Sequence, residues 1–174
     1  MAAMSASNVV RFAVNRRSGI EENDMTEKPA VRFQRANFVV EDVDKALTFY
    51  RDVLGFEVTF RKGHNPQSYS IPVFEIPDGA ELDFAILSLP GQPRIMALSG
   101  IGKIRLEPVP YPRRSAIVLD VADPDKVMAQ SAALGLTVYA EGRLETHDGR
   151  IGREIGIVDF DDNLVVIYLI PDND

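Results

Sequence analysis

Ala36, Phe38 and Val40 alternate with Arg35, Asn37 and Val39 inside a stretch, Arg32 to Val40, rich in β-branched and aromatic residues. A period of two with unlike faces predicts a strand. The period then changes. Val43, Ala46, Leu47, Tyr50, Val53 and Leu54 recur at helical spacing, which gathers them on one apolar stripe. Asp42 stands where its carboxylate can accept the free backbone N–H groups of the first turn. Gly55 stands where a left-handed residue ends a helix. Further strands are predicted over Phe56–Arg61, Glu81–Leu89 and Arg94–Ser99, with an irregular loop over Gly63–Ser70.

The same order returns later in the chain. Phe38-Val39-Val40-Glu41-Asp42-Val43-Asp44-Lys45-Ala46 is matched by Leu119-Asp120-Val121-Ala122-Asp123-Pro124-Asp125-Lys126-Val127 at an offset of 81. Leu54-Gly55-Phe56 is matched by Leu134-Gly135-Leu136 at an offset of 80. In the second copy Asp123 is the cap, and Pro124 takes the first helical position, where a missing N–H costs nothing. Val127, Ser131 and Leu134 form the stripe, and Gly135 ends it. Strands follow over Thr137–Ala140, Arg153–Phe160 and Leu164–Ile170, with Asp159-Phe160-Asp161-Asp162-Asn163 as a turn-forming cluster between the last two. A repeat of this kind predicts an α+β fold of two tandem βαβββ units forming a cupped mixed sheet. The units are read as 31–100 and 113–171. Residues 101–112, where three prolines fall between Gly100 and Pro112, are the linker. Residues 1–30 are an N-terminal arm, either disordered or adding one edge strand. Its composition up to Gly19, with three Arg and no acid, is also that of a transit peptide; the arm is the preferred reading.

Composition narrows the function classes. The net charge of −7 opposes binding to nucleic acid, which needs phosphates neutralised by Lys and Arg, and to anionic membrane surfaces. No apolar run reaches the length of a membrane span. The chain has no Cys, so thiolate nucleophiles, thiolate metal sites and disulfides are excluded. That fits a reducing compartment, and a cytoplasmic location is expected. No phosphate-binding loop is present, since Gly100-Ile101-Gly102-Lys103 lacks the required spacing.

The stretch Ala36-Asn37-Phe38-Val39-Val40-Glu41-Asp42-Val43-Asp44-Lys45-Ala46-Leu47-Thr48-Phe49-Tyr50 through Leu54-Gly55-Phe56 resembles the opening of the vicinal-oxygen-chelate superfamily, the glyoxalase, bleomycin-resistance and extradiol dioxygenase proteins. Asp159-Phe160-Asp161-Asp162-Asn163-Leu164 is similar to its closing turn, with Phe160 and Asp162 departing from the usual residues. The resemblance covers about 31–170. It implies a divalent metal held by the first and last strands of each unit. Counting to those positions gives Arg35, Ala116 and Val166, and a place among Ile95, Met96 and Ala97. None offers a hard donor at neutral pH. No metal or other cofactor is therefore expected, although a displaced site using His64, His147, Glu75 or Glu145 is an alternative.

Strand alternation assigns the inward face. Ala36, Phe38, Val40, Ile117, Leu119 and Val121 back onto the helices. Arg35, Asn37, Val39, Ala116, Val118 and Asp120, with Val166 and Tyr168, then face a common hollow, mainly apolar with a few polar groups, as small-molecule pockets are. Arg35 can hold a carboxylate or enolate through parallel hydrogen bonds, or can pair internally with Asp120. Asn37 can donate to a carbonyl oxygen. Asp120 becomes a general base if burial raises its pKa. His64 and His147 lie in polar Gly-containing loops, where either could move a proton or simply be exposed. The expected catalytic residues are Arg35, Asp120 and His147. The expected binding residues are Arg35, Asn37, Val39, Val118, Val166, Tyr168 and His64. The resemblance then implies a metal-independent lyase or isomerase acting on a small, partly apolar carbonyl or carboxylate compound. A non-catalytic sequestering protein of the bleomycin-resistance type is the alternative. A metal-dependent lyase or dioxygenase with displaced ligands is the second. The partners implied are a small organic molecule and a second copy of the chain in a homodimer.

Overall fold

A computed structural model describes residues 31–171 apart from Lys103; the arm assigned to residues 1–30 lies outside the described residues. From Phe33 onward the chain forms one compact unit. The first half runs β1 (Ala36–Val40), α1 (Val43–Tyr50), β2 (Glu57–Lys62), the short α2 (Ser70–Val73), β3 (Asp83–Leu89) and β4 (Gln92–Gly100). The second runs β5 (Ala116–Asp120), α3 (Pro124–Ala133), β6 (Thr137–Val138), β7 (Gly142–Glu145), β8 (Ile151–Val158) and β9 (Leu164–Leu169). The first sheet has the order β1-β4-β3-β2 and the second β5-β9-β8-β6, with β7 also paired to β8. In each half the first strand lies parallel to the last, Ala36 beside Met96 and Ala116 beside Leu164, and the other pairings are antiparallel. These are the two mixed sheets of a βαβββ repeat.

The local chemistry read from the sequence operates at both helices. The Asp42 carboxylate accepts from the Lys45 N–H at 3.0 Å, and that of Asp123 from the Lys126 N–H at 2.9 Å. Gly55 and Gly135 end the helical turns at φ 79° and 77°, a region closed to most L-residues. Each half also carries a charged clamp, with the arginine and its sheet acid exchanged between neighbouring strands. Arg61 on β2 holds Asp44 in the first turn of α1 and Asp83 on β3. Arg153 on β8 likewise holds Asp125 in the first turn of α3 and Glu141 before β7. Each clamp ties a helix start to the sheet it packs on.

Of the residues expected to face the helices, Phe38, Val40, Ile117, Leu119 and Val121 do belong to or pack on the core, whereas Ala36 borders surface hollows. Val40, Val43, Leu47 and Tyr50 from the first half join Ile155, Ile157, Val165 and Ile167 from the second in one buried core, with Phe38, Ile117 and Leu119 at its margin. The two halves therefore share a core. A smaller apolar cluster, Ile76, Leu82 and Ile101, pins the long β2–β3 connection against Val39. That connection contains α2, within what the sequence reads as irregular loop and beyond. β7 is the one strand the alternation does not signal, because Gly142-Arg143-Leu144-Glu145 is short and mostly polar. Among the described residues no helix is long and apolar enough to cross a membrane.

Candidate functional site

The face of the first sheet turned away from the helices carries a cavity of about 310 Å³. Its floor and walls come from β2 and β3. Phe60 and Lys62 stand two apart on β2, and the antiparallel register sets them opposite Ile86 and Phe84. Gly63, Asn65, Ser68, Ser70 and Leu82, from the β2–β3 connection, roof it, and Ser99 of β4 and Asp83 complete it. The Asn37 side-chain amide donates to the Ser99 hydroxyl at 3.1 Å. That pair separates this cavity from a second hollow, about 480 Å³, where Asn37 and Val39 meet Ser115, Ala116, Glu107, Asp161 and Asn163 from the linker and the second half.

The residues expected from the sequence are distributed between several surfaces. Arg35 precedes β1 and is half-buried, its Nη1 enclosed without a hydrogen-bond partner. No Arg35–Asp120 ion pair forms among the described residues. Asn37, Val39 and Ala116 do share a hollow, the one between the halves. Val118, 59% exposed, faces instead a neighbouring groove with Phe33, Ile95 and Leu119. Asp120 is exposed at the end of β5, beside a half-buried Tyr168, and Val166 lies beside Val118. His64 is exposed and its Nδ1 accepts the Leu82 N–H at 3.0 Å, which buttresses the roof of the first cavity from outside. His147 is exposed in the β7–β8 turn. Arg35, Asp120 and His147 thus line neither the first cavity nor the hollow between the halves. The alternation could have found Phe60 and Lys62, had the strand been extended by one residue. It could also have found Ser99, a polar residue at the end of the apolar run Ile95-Met96-Ala97-Leu98. The roof residues carry no periodic signal.

Comparison with known proteins decides the family. The model of the glyoxalase/bleomycin resistance protein/dioxygenase superfamily matches residues 32–167. The chain belongs to this superfamily. Its fold is similar to that of a glyoxalase family protein from Bacillus cereus, at 16% identity and a TM-score of 0.64 over 85% of this chain and 99% of that one. It is similar also to a glyoxylase/bleomycin resistance protein/dioxygenase domain from Frankia sp., at 15% identity and 0.59 over 84% and 96%. The Leishmania major glyoxalase I matches at 17% identity and 0.52 over 79% and 86%. No curated protein matches the chain in sequence.

The superfamily metal does not fit the residues present. Arg35, Ala116 and Val166 occupy the strand positions that the resemblance assigns to ligands, and Met96 and Ala97 on β4 are buried and without a hard donor. A guanidinium repels a cation, and the others supply no oxygen or imidazole nitrogen. Among the described residues no three His, Asp or Glu side chains converge in a cluster able to hold an ion.

The carboxyls raised above their ordinary range lie in the β8–β9 turn. Asp159 is buried and accepts from the Tyr50 hydroxyl at 2.8 Å, from the backbone N–H groups of Asp161 and Asn163, and from the Asn163 amide. Burial pushes its carboxyl up, outweighing those donors, and burial likewise raises the Tyr50 hydroxyl. Asp161 is half-buried and accepts the Glu41 N–H at 2.9 Å; burial lifts its pKa to about 6. The Glu41 carboxylate in turn accepts the Leu106 N–H at 2.7 Å, and Asp162 holds Arg113 at 2.9 Å. Asp161 thereby fastens the first half to the second, and Asp162 also holds the linker by accepting the Val109 N–H at 3.2 Å.

Proposed function

We propose that this protein binds a small organic molecule without a resident metal, in the cavity on the open face of the first sheet. The observation that carries this reading is the cavity itself: Phe60, Phe84 and Leu82 supply apolar walls, while Lys62, Asn65, Ser68, Ser70 and Ser99 supply a few orienting polar groups. That is the composition of a small-molecule site. The residues expected to carry chemistry, Arg35, Asp120 and His147, stand apart from it, which favours sequestration of the bleomycin-resistance type over turnover. Native mass spectrometry of freshly isolated protein tests this. A retained organic molecule, recovered chemically intact at one per chain, is the expected result. Stoichiometric metal, or a product differing from the bound compound, would overturn it.

One observation favours a second reading, a lyase or isomerase acting on a carbonyl or carboxylate compound. The hollow between the halves brings Asn37, able to donate to a carbonyl oxygen, together with Asp161, whose carboxyl near 6 suits proton transfer close to neutral pH. Loss of turnover in Asp161→Asn with ligand affinity retained would establish it. The exposed Val118 and Tyr139 support a homodimer in which a second copy covers part of the second half; sedimentation velocity tests this directly. We place the protein in the cytoplasm, where reduced conditions make no demand for disulfides.

A further inference from the structure

We infer that the ligand of the first cavity is a small planar carboxylate, an aromatic or conjugated acid, with Lys62 as its charge partner and Phe60 and Phe84 as its walls; this rests on the cavity reading above. Three features of the lining select that chemistry.

The first is which polar atoms remain free. The Gln67 N–H donates to the Asn65 side-chain oxygen at 3.1 Å, and the Ser70 N–H donates to the Ser68 hydroxyl oxygen at 3.3 Å. These turns occupy acceptors and leave donors: the Asn65 amide N–H groups and the Ser68 and Ser70 hydroxyl hydrogens. A roof that presents donors suits a ligand rich in acceptor oxygens.

The second is charge. Asp83 is the acid of the lining, and the Arg61 guanidinium already holds both its oxygens. Arg61 is itself shared with Asp44. The charge left uncompensated at the cavity is the Lys62 ammonium, which forms no ion pair among the described residues. An ammonium beside hydroxyl and amide donors favours a carboxylate over a neutral carbonyl.

The third is shape. Lys62 lies directly opposite Phe84, and Phe60 directly opposite Ile86, on one face of the β2–β3 pair. Phe60 and Phe84 are therefore diagonal neighbours, about 7–8 Å apart at the backbone. That separation admits one flat ring in contact with both, at roughly 3.5–4 Å from each. Phe60 is 48% exposed, and a ligand ring would cover it. At about 310 Å³ the cavity suits one or two fused rings.

Titration of the full ¹⁵N-labelled chain with sodium benzoate and with benzamide, followed by amide chemical shifts, separates the possibilities. Benzoate should shift the amides of Phe60, Lys62, Phe84 and Ser99 and bind at least tenfold more tightly than its neutral counterpart. Lys62→Met, a substitution at an exposed position that the fold tolerates, should abolish that tenfold difference. Phe84→Ala should weaken both compounds. Equal affinity for the two at the cavity, or a preference that survives Lys62→Met, would overturn the carboxylate assignment while leaving the cavity as the binding site. Shifts confined elsewhere, or none with either compound, would overturn both the assignment and the cavity reading.

Discussion

Replacing Asp161 with Asn should stabilise the protein above pH 6 and leave it unchanged below pH 4. The Asp161 carboxyl is lifted from 3.8 to about 6, chiefly by burial, with Asp159 and Glu41 adding repulsion and Lys45 and the Glu41 N–H opposing it. A carboxyl whose folded pKa lies above its unfolded one favours folding while protonated, below about pH 4. That contribution is lost as pH rises through 6. The full difference corresponds to at most ~3 kcal/mol at neutral pH. Asp161 is only half-buried, and solvent screening reduces this to about 1 kcal/mol. Asn keeps an oxygen able to accept the Glu41 N–H, 2.9 Å away in the parent, and carries no charge. Thermal unfolding from pH 4 to 8 is the assay. For a domain of this size about 1 kcal/mol corresponds to roughly 2–4 °C. The difference in Tm should open between pH 4 and 6 and stay level beyond. A variant less stable than the parent at pH 8, or a difference independent of pH, would refute the assignment of burial as the cause.

Two further substitutions test the packing. Tyr50→Phe removes the hydroxyl that donates to Asp159 at 2.8 Å, leaving a buried carboxylate with one donor fewer; a loss of about 2 kcal/mol in urea unfolding is expected, and no loss would mean that Asp159 is solvated in the native state. Gly152→Ala would put a methyl 2.5 Å from the Leu169 carbonyl oxygen, whereas in Gly156→Ala the methyl meets the Tyr139 ring at 2.9 Å. Backbone cannot yield cheaply and a ring 46% exposed can, so the first should cost roughly 2–3 kcal/mol and the second under about 1 kcal/mol; the reverse order would contradict this account.

The fold is legible in the sequence because its determinants are local and occur twice. Asp42 and Asp123, Gly55 and Gly135, and the switch from period two to helical spacing each act through neighbours a few residues away. The site is less legible, for a physical reason. Alternation says which side of a strand a residue occupies, but the hollow that takes Asn37, Val39 and Ala116 is lined also by Ala36, Phe38 and Ile117 of the opposite parity. Alternation does not say how two sheets that share a core are turned. Ala116, Val118 and Asp120 share one parity, yet Ala116 borders both the hollow and the neighbouring groove, Val118 the groove alone, and Asp120 is exposed. Lys62 was lost to a strand boundary one residue short, and Asn65, Ser68 and Ser70 belong to a loop whose course is fixed by Ile76, Leu82 and Ile101 rather than by any periodic pattern.

The charges that remain in the chain explain why a carboxylate, rather than a cation, is the expected guest. In a protein of net charge −7, an acidic ligand needs a local excess of positive charge that the average composition opposes. The clamp provides it indirectly. Arg61 takes up Asp44 and Asp83 together, so that the acid in the cavity wall is neutralised from outside and Lys62 acts alone. In the second half the clamp has its charges exchanged, with Arg153 on β8 and its acid Glu141 before β7, and the residue after Arg153 on the open face of β8 is Glu154, opposite Tyr168. The open face of the first sheet thus carries the Lys62 ammonium, and that of the second carries the Glu154 carboxylate. The anionic guest proposed above would accordingly meet favourable charge at Lys62 and unfavourable charge at Glu154.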